Sequence, residues 1–225
     1  MEKLIQDNYD LYTKAISQPL TNELCQGTLS NSRLYTYLVQ DLKFFEFSLN
    51  LIGKTLSLCD DPGASIRLAK QIGWLADDEN TYFRETLAEL EKDNDLSSVI
   101  PKMRNDNGIT LPAVTKYIEY LEYMIHESKT YIELITLCYT MEKIYLAWVE
   151  YNQERGTIVA NLAPKFQTWI DLHSGEHFIE WVDFLQREVE RSITSEEKEK
   201  INHDTFVKTV GLEIDFFESC YNYKE

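Results

Sequence analysis

Four apolar helical stripes in this sequence each carry a carboxylate near the centre. Positions spaced i, i+3, i+4, i+7 form one face of a helix. Over residues 31–58 they read Leu34, Tyr37, Leu38, Asp41, Phe44, Phe45 and Ser48, with Asp41 in the middle. Over 130–153 they read Ile135, Cys138, Tyr139, Glu142, Tyr145, Leu146 and Val149, centred on Glu142. The last helix gives Phe206, Val210, Glu213, Ile214, Phe217 and Cys220 around Glu213. A fourth stripe, Leu68, Ile72, Leu75, Glu79, Tyr82 and Phe83, adds Glu79. An ionised carboxylate without partners is costly to bury, and its usual fate is a shifted pKa or a compensating hydrogen bond. One such residue reads as structural; several on separate helices read as one shared pocket, because bundles build ligand sites from inward-facing side chains.

Cys138 stands four residues before Glu142, on the same helical face. It is either a nucleophile with a carboxylate as proton acceptor or a small core residue, since carboxylate neighbours by themselves raise a thiol's pKa. None of His126, His173, His177 and His203 has Glu three residues earlier, as a di-iron carboxylate bundle requires. His173 and His177 have the spacing of a metal pair, but Ser174 and Gly175 break the helix between them. No metal site and no cofactor are expected. The absence of a P-loop and of a Gly-x-Gly-x-x-Gly run removes the phosphate-cradling folds.

The elements that must position these residues are all helices. Only 8 Gly and 5 Pro occur in 225 residues, too few for the turns of an all-β protein. Punctuation predicts helices over 2–16, 20–25, 31–58 (capped by Ser30 or Ser32) and 62–92 (opened by Asp61–Pro62). Others follow over 112–126, 130–153, 164–174 and 176–191, and a Thr194/Glu197 capping box opens 195–222. The polar stretch 93–110 reads as a surface excursion within one domain spanning 1–225. A net charge of −16 argues against nucleic acid and anionic membrane surfaces. Four dispersed cysteines, an N-terminus without a signal-peptide pattern and no long uncharged apolar run point to a reduced, cytoplasmic setting.

Three stretches carry a resemblance to the TenA/thiaminase II family of haem-oxygenase-like multi-helix bundles. They are GTLSNSRLYTYLVQD over 27–41, LCYTME over 137–142 and GLEIDFF over 211–217. The first resembles the family's "G-T-L … F/L-x-x-Y-x-x-Q-D" segment, the second lies where the family has its active-site helix, and the third is similar to its terminal "E-x-x-F-W". Order and spacing agree along nearly the whole chain.

What the resemblance implies is a hydrolase of the thiaminase II or aminopyrimidine aminohydrolase type, which breaks a C–N bond of thiamine-derived aminopyrimidines in thiamine salvage, as a homotetramer. Asp41 would hold the ring and its amino group, Glu213 would bond the ring and exchange a proton, and rings such as Phe44 and Phe216 would sandwich it. Cys138 would be the nucleophile of the Cys-type branch, whereas Glu142 matches the glutamate of the branch that lacks that cysteine. Leu137 and Glu142 depart from the Cys-type pattern of proline before and tyrosine four after the cysteine, and Phe44 stands where Tyr is frequent. The alternative function is an aminopyrimidine-binding or regulatory protein that keeps the pocket without turnover.

Overall fold

The computed structural model describes residues 1–104 and 108–224, apart from the side chains of Asp78 and Glu79. Every regular element among the described residues is helical. Helices α1 (Glu2–Asp7), α2 (Tyr9–Ile16) and α3 (Pro19–Cys25) lead into the long α4 (Asn31–Leu58) and α5 (Pro62–Trp74). A π turn, Leu75–Glu79, joins α5 to α6 (Asn80–Leu90). A 3-10 turn (Asn94–Leu96) and α7 (Ile100–Met103) precede α8 (Pro112–Glu127), α9 (Tyr131–Glu154), α10 (Pro164–Leu172), α11 (Glu176–Ser192) and α12 (Glu196–Asn222).

Local chemistry explains most boundaries. Ser30 Oγ accepts from the Arg33 N–H at the start of α4, and Asp61 Oδ1 accepts from the Ala64 N–H at the start of α5. Proline occupies the first turn of α3, α5, α8 and α10, where a missing N–H costs nothing. Helix α3 ends in a Schellman motif. Gly27 adopts φ +66°, and the N–H groups of Gly27 and Thr28 return to the carbonyls of Leu24 and Glu23.

Three boundaries differ from the sequence expectation. The helix expected over 2–16 is broken at Asn8, whose side-chain amide bonds the Leu4 carbonyl at 2.9 Å and so competes with the backbone ladder. The helix expected over 62–92 is interrupted by the π turn, which a regular 3.6-residue period does not signal. Helix α12 is capped by Ser195, whose Oγ accepts from the Lys198 N–H at 3.3 Å; Thr194 lies one residue too early. Thr130 holds the cap position of α9 without making a side-chain bond.

Helix α9 is apolar on nearly every side, as a helix surrounded by others must be. It packs most extensively against α12 and α11, and also touches α4, α2 and α3. Helix α4 in turn contacts α5, α6, α8, α9 and α12. Its rotation is pinned at buried Gln40, whose amide nitrogen bonds the Ile109 carbonyl (2.8 Å) while its oxygen accepts from the Leu111 N–H (2.9 Å). That anchor fixes the direction in which the next residue, Asp41, projects. Among the described residues no helix is long and apolar enough to cross a membrane.

Candidate functional site

A small cavity opens where α4, α9, α6, the π turn and the end of α10 meet. Its wall consists of Asp41, Phe44, Phe45, Ser48, Leu75, Phe83, Met141, Glu142, Tyr145 and His173. It encloses about 50 Å³ of water-accessible space, well above the roughly 10–15 Å³ that a single water requires. Most of the wall is aromatic or aliphatic, and its polar groups are two carboxyls, one imidazole and the Tyr145 and Ser48 hydroxyls. That is the composition of a site for a small, flat, polar-edged ligand.

Asp41 projects from the middle of α4 and is 5% exposed. Its Oδ1 accepts from the Tyr145 hydroxyl at 3.2 Å. Tyr145 in turn accepts from Tyr37 (3.3 Å), and Tyr37 accepts from the indole N–H of Trp169 (3.1 Å). Burial raises the Asp41 carboxyl to about 7, against the pull of the Tyr145 and Tyr37 hydroxyls, which favour the anion.

Glu142 reaches the cavity from α9. Its side chain is half-buried, and Oε1 accepts from the Trp181 indole N–H of α11 at 3.0 Å. Burial raises this carboxyl to about 7 as well, opposed by that single hydrogen bond. Two carboxyls in one largely apolar cavity therefore change protonation near neutral pH, the property a general acid–base needs.

Glu213 and Cys138 sit close by but do not line the cavity. Glu213, on α12, is 1% exposed and accepts from the Tyr117 hydroxyl at 2.7 Å. The Tyr117 ring packs on Phe44 with centroids 4.8 Å apart, which puts Glu213 behind the wall. Burial raises Glu213 to about 8; the Tyr117 bond opposes the rise, and the charges of Asp41 and Glu142 add to it. Cys138 is 3% exposed, with its sulfur 3.7 Å from Thr55 Oγ1. Burial pushes the thiol up to about 12; the Thr55 bond lowers it slightly and the charge of Glu142 raises it further.

Of the two aromatic candidates, Phe44 forms part of the wall. Phe216 is buried behind it, 6.3 Å from Phe44 and 5.9 Å from Tyr37 between ring centroids. The candidate Glu79 lies in the π turn, and its side chain is outside the described residues. Leu75, at the start of that turn, is a wall residue; π turns recur at functional sites. Among the described residues no three His, Cys, Asp or Glu side chains converge as a metal-binding group.

Tyr145, Tyr37, Trp181 and His173 also belong to the site, and the sequence expectation does not include them. Tyr37 and Tyr145 lie on the apolar stripes of Asp41 and Glu142, four before the one and three after the other, so the signal for them was present. Trp181 and His173 come from other helices and carry no local mark.

Similar architectures occur among solved structures. A TenA homologue from P. horikoshii OT3 superposes with a TM-score of 0.79 at 16% identity, covering 98% of this chain and 97% of its own. The chain has the TenA fold. A candidate TenA-like thiaminase from Sulfolobus solfataricus P2 shares it at a TM-score of 0.73 and 14% identity, over 97% of this chain and 94% of the other. A domain with a haem-oxygenase-like fold from Shewanella denitrificans OS217 matches at 0.71 and 14%, over 98% and 91%. The all-α, haem-oxygenase-like class expected from the sequence is thus the observed TenA fold. No protein-family model and no curated protein sequence matches the chain.

Proposed function

We propose that the chain is a TenA-type hydrolase that cleaves a C–N bond at the exocyclic carbon of a thiamine-derived aminopyrimidine, with Glu142 as the acid–base group. The observation that carries this reading is the pair of carboxyls, Asp41 and Glu142, both raised to about 7 in one small aromatic-walled cavity. Asp41 pairs with the amidine edge of the ring, meaning a ring nitrogen and the adjacent amino group. A carboxyl that exchanges a proton near neutrality can offer that edge one donor and one acceptor.

Glu142 takes a proton from water as the water oxygen bonds to the exocyclic carbon. The C–N bond breaks with its electron pair on nitrogen, and Glu142 returns the proton to that nitrogen. The net change is addition of water across the bond. A base near 7 is well matched to this task, and such help is worth roughly a hundred- to ten-thousand-fold in rate. Cys138 is a poorer nucleophile: a thiol at about 12 is ionised to roughly one part in a hundred thousand at pH 7, and its side chain is outside the cavity wall. Glu213 keeps Tyr117, and through it Phe44, in place. The chain acts as one domain in a cytoplasmic homotetramer, in line with the family resemblance.

Turnover of aminopyrimidine substrates by wild type, Glu142→Gln and Cys138→Ala, alongside thermal shift with hydroxymethyl-aminopyrimidine, tests the reading. Glu142→Gln should lose turnover and still bind, while Cys138→Ala keeps most of its activity. The reverse pattern transfers the chemistry to the thiol. Binding by wild type without turnover favours a binding or regulatory protein, and neither binding nor turnover sinks the assignment.

A further inference from the structure

His173 follows the last residue of α10 and forms part of the cavity wall while remaining only 3% exposed. Its Nδ1 lies 2.8 Å from the Trp169 carbonyl oxygen. A carbonyl can only accept, so Nδ1 carries the hydrogen and, in the neutral ring, Nε2 carries a lone pair. Among the described residues no group hydrogen-bonds to Nε2. The ring is clamped edge-on by Trp169 (4.3 Å) and Phe178 (5.0 Å) and lies 4.9 Å from Tyr145, the hydroxyl donor to Asp41. His173 therefore borders the same tyrosine that donates to Asp41.

We infer that His173 turns the Nε2 lone pair into the cavity and selects amino- over oxo-pyrimidines by accepting the amino N–H that Asp41 leaves free. This rests on the aminopyrimidine reading above. A carboxylic acid has one donor and one acceptor, so Asp41 can pair with an amidine edge or, by moving its proton, with the amide edge of an oxo-pyrimidine. It does not discriminate between them. An acceptor held beside it does: an amino group gives it an N–H, whereas a carbonyl oxygen opposes lone pair to lone pair. A buried group left facing the wrong partner is what makes polar discrimination large. Burial holds the imidazole down to about 4, so at neutral pH it performs this role uncharged, without adding a further anion to the cavity.

Calorimetric titration of wild type and His173→Gln with 4-amino-5-hydroxymethyl-2-methylpyrimidine and with its 4-oxo counterpart tests the inference. Nitrogen NMR of the wild-type histidine ring accompanies it and needs no variant to fold. Wild type should prefer the amino ligand by roughly a hundred-fold, a discrimination in the range of one mispaired buried polar group. The glutamine variant should narrow that gap about ten-fold or more, because a carboxamide can present either its oxygen or its N–H. The wild-type ring should show hydrogen on Nδ1, and its Nε2 resonance should shift on adding the amino ligand. Full preference retained by His173→Gln, or hydrogen found on Nε2, overturns the inference and leaves the aminopyrimidine reading standing. Failure of wild type to bind either ligand refutes that reading and this inference with it.

Discussion

Asp41 makes the ligand-free protein less stable as pH rises through neutrality, and Asp41→Asn should remove that dependence. In the folded chain burial lifts this carboxyl from its ordinary 3.8 to about 7. Between those values the folded state holds a proton that the unfolded chain has released. Stability therefore falls with rising pH in that window and levels off above the folded value. From pH 5 to 7 the slope is close to 1.36 kcal/mol per pH unit at first and halves at the folded value, a total on the order of 2 kcal/mol. For a chain of this size that corresponds to a fall in Tm of roughly 4–8 °C. Scanning calorimetry of the ligand-free wild type and of Asp41→Asn at pH 5, 6, 7 and 8 gives the measurement. The variant should lose about 2 kcal/mol of this pH dependence, while Glu142 and Glu213, raised to about 7 and about 8, keep part of the decline. A wild-type Tm that is flat from pH 5 to 8, or a variant with the full wild-type slope, would refute the account of Asp41 as a buried carboxyl near neutrality.

Native alkylation offers a second check. Iodoacetamide at pH 7.5, followed by mass spectrometry, should modify half-buried Cys59 and spare Cys138, whose thiol is buried and pushed up to about 12; rapid labelling of Cys138 would restore it as a nucleophile. Gly27→Ala should cost roughly 1–3 kcal/mol in urea denaturation, because φ is +66° and an added Cβ would meet Leu162 Cδ2 at 2.8 Å.

Periodicity and punctuation are enough to recover α4 from Ser30 to Leu58, α5 from Asp61–Pro62, and the run from α8 to α12, because caps and first-turn prolines act within a few residues. The same periodicity places Asp41, Glu142 and Glu213 on buried faces, since a polar residue in an apolar stripe is visible without a structure. What the sequence does not carry is the meeting of helices. Nothing near His173 announces that it borders Tyr145, and nothing near Trp181 announces that it bonds Glu142 from across α9 and α11. The exclusion of Cys138 from the cavity wall is likewise decided by side-chain direction within one helical face, finer than a stripe can resolve. The π turn escapes because the extra residue alters the period itself.

The series Trp169, Tyr37, Tyr145, Asp41 has a built-in polarity. An indole nitrogen can give a hydrogen bond but never take one. Tyr37 therefore receives from Trp169, and with the carboxyl ionised it passes its own hydrogen to Tyr145, which passes its own to Asp41 Oδ1. Every link then points the same way, and Oδ1 is a receiver as long as the carboxyl is ionised. The chain is a one-way street ending at Asp41, with no group at its far end to carry a proton off. On its protein side the ionised carboxyl meets the donated Tyr145 hydroxyl, so the proton it takes up comes from the cavity side.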